Sequence, residues 1–440
     1  LDPAPLAATI GAALLAGVLA GIAPAITTAR PEAYSELKEG AARATAGAAR
    51  NRVRLALVVA EISIAIALLA GAGLMLKSYA ALAAVDPGFD AERIETAQIV
   101  LPRAGFVEPA AALRFQEAVT EVLARTPGVE AVTVVDRLPQ GNWNTNGDIA
   151  IEGREPFGPS ESPVVERRRA TPGYFETMGI RIVRGRSFSA ADGPSAPPVM
   201  IVNEAFAERL FPGEDPIGKR ARWNTDNLPY AEIVGVFADV KSNGPDQPVP
   251  LESFLPFAQH PDGVFAFVIK VAPGTDGQRA LHDAVASVDP MTPLHRVRSM
   301  EAIRAARMSS KKSIAVLLLA FAAVAAVLAA LGIYGVVAHQ TAQRTREVGI
   351  RLALGAKPRD VVQLVVGQSM LVVGAGIGVG LVLSAAGSRV LSAFLFGTNA
   401  LDPVVYAVVV GLVGLIGLAA SAIPAVRAAA IAPATALRYE

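Results

Sequence analysis

Few residues in this chain have the types and spacings that chemistry requires. The four histidines, His260, His282, His295 and His339, are scattered, and there is no cysteine. A zinc site needs ligands paired on one face, as in His-Glu-x-x-His, or thiolates in close pairs. Neither pattern occurs, so no metal site and no thiol nucleophile are expected. Gly-x-Ser-x-Gly is also missing, and scattered Asp and Glu read as solvated surface rather than an acid–base pair. No Gly-x-x-x-x-Gly-Lys-Ser/Thr loop cradles ATP phosphates. The chain therefore carries no cofactor of its own, and any ATP acts through a separate subunit. The run from Gly374 through Gly376 and Gly378 to Gly380 follows no strand and lies in an apolar stretch. It reads as two small-xxx-small faces for close helix packing, Gly374 with Gly378 and Gly376 with Gly380, and not as a phosphate loop.

Those glycines sit in one of five stretches near the ~20 apolar residues a membrane span needs. The stretches are Leu6–Ile26, Leu55–Leu76, Ile314–Ala338, Val361–Ala386 and Val404–Val426. Overall the chain is 52% hydrophobic and 18% charged, with a mean hydropathy of +0.42, high for a soluble globule. Its 40 Lys+Arg against 39 Asp+Glu exclude a strongly basic nucleic-acid binder and an acidic disordered tail.

Orientation follows from the basic residues. Arg43, Arg50, Arg52 and Arg54 precede the second span, Arg344 to Arg359 lie between the third and fourth, and Arg427 and Arg438 follow the fifth. All three segments belong to the cytoplasm, which places the polar block from Ser78 to Lys312 on the far side. Glu61 lies roughly 10 Å beyond Arg54 at the helical rise, a depth from which a carboxylate can snorkel back to the interface.

The first span has no basic flank and the chain does not begin with Met, so it is not a signal peptide. Leu1-Asp2-Pro3 recurs as Leu401-Asp402-Pro403, and Pro24-Ala25 as Pro424-Ala425, an offset that suggests a duplicated protein cut internally. The expected organisation is 1–30 as the last helix of a preceding repeat and 31–54 as a cytoplasmic linker. A first helix at 55–77, an outer domain at 78–312 and a second helix at 313–338 follow. A cytoplasmic loop at 339–360 and two further helices with a tail at 361–440 complete it.

Within the outer block, Ala131–Val135, Val199–Val202, Glu232–Val236 and Ala266–Val271 read as strands, and Ala110–Arg125 and Gly277–Val288 as helices. Pro139–Gly147, Pro156–Pro163 and Pro194–Pro198 read as loops, and the alternation indicates α/β or α+β subdomains. On the cytoplasmic side, Arg346 to Leu354 reads as a short amphipathic helix, with Val348, Ile350, Leu352 and Leu354 set among Arg346, Glu347 and Arg351. Gly355 suits its C-cap and Pro358 the start of the next helix. Taken alone, these residues fit a helix lying among lipid headgroups and a helix docking in a groove on another protein equally well.

The segment from Ala170 to Ile180, with Thr171, Pro172, Tyr174, Phe175 and Gly179, followed by Gly185-Arg186-Ser187-Phe188, resembles the periplasmic core domain of MacB-like transporters. So does Ile201 to Ala207, with Asn203, Glu204 and Phe206, together with Asp215 to Arg220 around Gly218. Arg346-Glu-Val-Gly-Ile-Arg-Leu-Ala-Leu-Gly-Ala356 resembles the signature loop of FtsX-like permeases, and Pro424 to Arg438 that family's ending. The duplicated pattern without a nucleotide-binding domain further resembles orphan duplicated permeases of the acidobacterial type.

The resemblance implies a permease subunit of a type VII ABC system. Its fold would be a helical bundle, one four-helix FtsX-like unit plus a preceding helix, carrying a large α+β periplasmic domain. It would sit in the bacterial inner membrane, as a homodimer or packed against its preceding repeat, with a cytoplasmic ATPase as partner and a periplasmic partner protein. The docking reading of Arg346, Glu347, Val348, Gly349, Ile350, Arg351, Leu354, Gly355 and Ala356 follows from it. One departure is the lack of an acidic residue near Gln368-Ser369, which leaves a charge-dependent role of that helix without its residue. The rival expectation is an ATP-independent signalling or scaffold protein binding an envelope partner.

Overall fold

A computed structural model describes residues 41–101, 109–141, 144–155, 157–158, 162–224, 228–343, 350–351, 354 and 357–429. The first apolar stretch, and with it the N-terminal half of the internal repeat, lies outside the described residues. The chain divides into two compact units. One gathers Leu68–Phe321 with Ala385–Tyr406; the other gathers the described residues up to Ala67, Ala322–Ser384, and those from Ala407 onward.

Among the described residues, four helices are long and apolar enough to cross a membrane. They are α1 (Ala41–Ala83), α6 (Met300–Gln343), α7 (Pro358–Ser392) and α8 (Pro403–Ala429). Each runs past the apolar core that the sequence marks. The surplus is largest in α1 and α6, of 43 and 44 residues, because the sequence beyond their apolar cores contains no Pro and is rich in Ala, Arg and other good helix formers that carry the helix through Gly47.

The first unit is built on one mixed sheet. Its strands are β1 (Ile94–Val100), β2 (Val129–Val135), β3 (Asn146–Gly147), β4 (Ile149–Ile151), β5 (Val165–Ala170), β6 (Ile182–Gly185), β7 (Val199–Asn203), β8 (Arg220–Trp223), β9 (Ala231–Phe237), β10 (Leu251–Pro256), β11 (Val264–Val271) and β12 (Leu294–Ser299). The order is β12-β1-β11-β2-β5-β10-β7-β9-β8-β4, with β3 on β5 and β6 on β9. The pairings β5–β10 and β7–β9 are parallel and the others antiparallel. The end of the stretch expected as a loop, Asn146–Gly147, is thus a strand.

The helices of this unit are α2 (Pro109–Ala124), α3 (Tyr174–Thr177), α4 (Glu204–Leu210) and α5 (Gly277–Val288). Leu281, Ala284 and Val285 put one face of α5 into a cluster with Val119 and Leu123 of α2 and Phe265, Phe267 and Ile269 of β11. The Asp276 side chain accepts from the Arg279 N–H at 3.0 Å and starts α5. β11 is apolar on both sides, as a central covered strand must be. A second cluster packs Phe206 and Leu210 of α4 against Met200, Val202 and Ile233. A third gathers Tyr174, Phe175, Phe188, Phe237 and Phe254.

Candidate functional site

The cytoplasmic loop is the first candidate. Of its residues, Ile350, Arg351 and Leu354 are described; the Leu354 N–H donates to the Ile350 carbonyl at 3.0 Å, one helical turn. Leu354 is 83% exposed and Ile350 44%, so both apolar side chains stand open. Arg346, Glu347, Val348, Gly349, Gly355 and Ala356 lie outside the described residues. α7 then opens on Pro358, held by reciprocal Lys357–Asp360 bonds of 3.1 and 3.0 Å.

Within the membrane unit the glycines of α7 divide into two kinds. A Cβ on Gly376 would fall 2.7 Å from Ile62, and one on Gly380 2.7 Å from Ile66 and 3.0 Å from the Ser63 carbonyl. The Ser63 hydroxyl also donates to the Gly376 carbonyl at 3.0 Å. Gly374 and Gly378 meet nothing within 4 Å, so no described residue lies against the contact face expected there. The adjacency of the two faces on a 3.6-residue helix hides this from the sequence. Glu61 departs from the snorkelling expectation: its Oε2 is buried without a donor among the described residues and lies 2.5 Å from where a Cβ on Gly332 would stand. Ser369 is buried on α7, its hydroxyl turned back to the Val365 carbonyl at 2.9 Å.

At the outer ends of the helices, Lys77 pairs with Asp402. Asp402 also caps α8, accepting from the N–H groups of Val404 and Val405 at 3.1 and 3.2 Å. The Lys77 bond, followed by the cap, holds its carboxyl below the usual carboxylate range. Ser78 accepts from the Phe396 N–H at 2.8 Å. An Asp before the Pro that opens an apolar run is a helix-start signal, so this cap was legible in Leu401-Asp402-Pro403; its cation partner was not.

The outer-domain motif residues come together as scaffold. The Thr171 hydroxyl accepts from the Val134 N–H at 2.8 Å, Pro172 is exposed, and Tyr174 and Phe175 are each 1% exposed. Their rings lie 5.5 and 5.1 Å from Phe254, and burial above all pushes the Tyr174 phenol well above its ordinary value. Gly179 and Gly218 take left-handed backbone, φ 63° and 79°, which a side chain would strain. Asn203 accepts from the Phe206 N–H at 3.1 Å, capping α4, and from the Glu252 N–H at 2.8 Å. Glu204 is half-buried in the first turn and Phe206 is fully buried.

Polar residues that sequence reasoning passed over lie beneath this scaffold. Arg168 Nε donates to Glu252 Oε1 at 2.9 Å, with side chains 2% and 1% exposed. Asp136 accepts from Arg169, which also reaches Asp262 at 3.0 Å. Three arginines in the strand Val-Glu-Arg-Arg-Arg-Ala have no apolar alternation, so only their crowding within a β-bounded run hinted at burial. Among the described residues no three His, Asp or Glu converge as a metal site would require.

One ion pair, an exposed Arg186 on a buried Asp192, gives a pH prediction. Arg186 forks onto Asp192 at 2.7 and 2.8 Å, and that bond, with the Ser189 N–H, holds the Asp192 carboxyl below its ordinary value. A depressed carboxylate makes the unfolded chain the better proton binder, so stability is full above the unfolded value of about 3.9 and is lost as pH falls through the folded one. Asp192→Asn is expected to flatten this acid limb, measured as the pH dependence of thermal unfolding as the pH falls below about 5.

A family model described as the MacB-like periplasmic core domain matches residues 55–286, more than half of the chain. A second, the FtsX-like permease C-terminal model, matches residues 319–433. The chain belongs to the MacB/FtsX-like ABC permease family. This permease is a membrane protein with a periplasmic domain, and the domains matched are permease domains. It is 28% identical over 409 residues to the macrolide export ATP-binding/permease protein MacB of Nitrobacter winogradskyi, covering 87% of this chain and 58% of that protein. The protein of the same name from Marinobacter nauticus is 25% identical over 226 residues, 48% of this chain and 33% of that one. The permease thus spans at most 58% of the length of these curated relatives. The crystal structure of the periplasmic region of MacB from Actinobacillus actinomycetemcomitans aligns with 50% of this chain and 94% of that one, at 16% identity and a TM-score of 0.35.

Proposed function

We propose that this permease transmits the motion of a separate cytoplasmic ATPase to its periplasmic domain, from the inner membrane of a bacterium. The observation that carries the reading is where the long helices enter the sheet. α1 leads into β1 and α6 leaves from β12, and β1 and β12 are hydrogen-bonded neighbours. At 43 residues α1 is about 65 Å long, against a hydrocarbon core of about 30 Å, so movement at its cytoplasmic end reaches the periplasmic domain without a hinge loop. Arg304 of α6 donates to the Ala83 and Val85 carbonyls at 3.1 and 3.3 Å, binding the two outer ends.

The curated relatives are named for ATP binding as well as permeation, and these 440 residues hold no phosphate-cradling loop, which supports an ATPase that lies outside them. The loop from Arg346 to Ala356 is its dock, with the open side chains of Ile350 and Leu354 entering a groove. The helices pair with a second copy or with a preceding repeat, and the periplasmic domain engages a partner protein or substrate. Glu347→Arg reverses a charge at the dock. With a co-purified ATPase it is expected to lower stimulated ATP hydrolysis about tenfold or more; unchanged stimulation overturns coupling through this loop. If no nucleotide-binding subunit is retained in detergent, an ATP-independent envelope scaffold is the better reading.

A further inference from the structure

A cavity of about 270 Å³ in the periplasmic domain is framed by β1, β11, β12, the loop after β2 and the first turns of α6. Arg137, Arg296, Arg298 and Arg307 line it. Its lone lining carboxylate, Asp136, is committed to Arg169, accepting the Arg169 backbone N–H at 2.9 Å and its guanidinium at 3.3 Å. Arg296, Arg298 and Arg307 make no ion pair among the described residues. Arg307 instead fixes the wall, its Nε donating to the Gln140 carbonyl at 2.7 Å and its Nη2 to the Gly141 carbonyl.

Gln140 adds a requirement of opposite sign. It is 1% exposed, and its Nε2 donates to the Lys241 carbonyl at 3.2 Å, which fixes the amide orientation. Its Oε1 is then a buried acceptor with no donor among the described residues. The same residue holds a left-handed backbone, φ 58°. A strained non-glycine residue and an unmet buried acceptor are both costly, and here they fall on one side chain lining an arginine-rich hollow.

We propose that this cavity binds a phosphate ester whose alcohol or amine carries a hydrogen-bond donor, the oxyanion on the arginines and the donor on Gln140 Oε1. Guanidinium forks match phosphate oxygens in geometry and charge. Two sources offer this chemistry: a phospholipid headgroup such as phosphatidylglycerol, and a free ester such as glycerol phosphate. Arg307 precedes Ile314, where the apolar run of α6 begins, by seven residues. That is about 10 Å of helix, so the hollow stands at headgroup depth. Phosphatidylcholine has the phosphate but no donor. The site is independent of the ATPase coupling proposed above.

The test uses the whole protein in phosphatidylcholine nanodiscs. One arm titrates sn-glycerol 3-phosphate by calorimetry. The other dopes the discs with phosphatidylglycerol and counts retained lipid by native mass spectrometry. Binding in either arm is expected, and the active arm identifies the source. Arg298→Gln, alone and with Arg296→Gln, is expected to weaken it at least tenfold. The single variant keeps the test readable should the left-handed backbone at Arg296 make the double one fold poorly. Gln140→Asn, which tolerates that backbone but retracts the acceptor, is expected to erase the preference for phosphatidylglycerol over phosphatidylcholine, or to weaken glycerol phosphate. Arg279→Gln, on the solvent face of α5, serves as the unchanged control. No binding of either probe, or binding indifferent to Arg298→Gln, overturns the proposal.

Discussion

Replacing Glu252 with glutamine is expected to cost the periplasmic domain about 3–5 kcal/mol, a large share of the roughly 5–15 kcal/mol that holds a domain folded. The carboxylate is 1% exposed and sits 2.9 Å from the equally buried Arg168. Burial pushes the Glu252 carboxyl up and Arg168 pulls it back. Burial also works against the Arg168 charge, but Glu252 and the neighbouring groups leave the guanidinium held above its usual value. The arginine therefore stays charged, and although burial leaves the Glu252 carboxyl above its ordinary value, its 2.9 Å contact makes it the counter-charge of that cation. Glutamine keeps the shape and removes the counter-charge, leaving a cation stranded between β5 and β10. Arg168 also ties β5 to the loop after β2 by donating to the Arg137 carbonyl at 2.8 Å, so the damage spreads across three strands. Thermal unfolding of the purified permease, followed by near-ultraviolet circular dichroism, measures the loss. Arg168→Met combined with Glu252→Leu is expected to recover most of it, because the penalty comes from the unpaired charge more than from the missing bond. A melting temperature unchanged in Glu252→Gln would mean that the pair is not ionised in the native fold.

Gly376→Ala and Gly380→Ala are expected to loosen the helix bundle by about 1–3 kcal/mol each, whereas Gly374→Ala and Gly378→Ala change its stability by less than about 0.5 kcal/mol. The four positions share one helix and one residue type, so intrinsic propensity cancels in the comparison. What differs is the neighbour. The new methyl at 376 or 380 would lie 2.7 Å from a β-branched isoleucine, whose side chain is stiff at its first torsion and cannot swing aside. At 380 the Ser63 carbonyl stands 3.0 Å away as well and belongs to backbone. Separation of α7 from α1 would also lengthen the Ser63–Gly376 hydrogen bond. Heat-induced aggregation in detergent, read for the four variants side by side, checks the contrast; equal effects at all four sites would refute it.

That contrast marks the limit of what the sequence could reveal. The four described spans were legible because about 20 apolar residues have one stable solution in a bilayer, and strands such as β11 because their β-branched and aromatic runs stand between breakers. β5 was not legible: Glu166, Arg167 and Arg168 are all buried, and only partners distant in sequence, such as Glu252 and Asp148, make that burial tolerable. β12 was missed for the opposite reason, as an edge strand with mostly open side chains and little periodic signal. The outer-domain motif was legible as a resemblance, but its residues turn out to be buried rings, caps and left-handed glycines. Gly376 and Gly374 read alike along the chain, and only the position of Ile62 tells them apart.

The attachment of α1 and α6 has a mechanical consequence. β1 and β12 run antiparallel, with Glu95 opposite Ser299, so both helices join the same end of one two-stranded ribbon. A ribbon pulled apart from that end opens like a zipper, parting its rungs one after another at about 1 kcal/mol apiece, where the same rungs loaded lengthwise would resist together. Spreading the helices would therefore peel β12 off the sheet long before the central strands felt any load. The Arg304 clasp onto the Ala83 and Val85 carbonyls closes the open end, so that push and pull travel along the strands and the outermost one stays stitched in place.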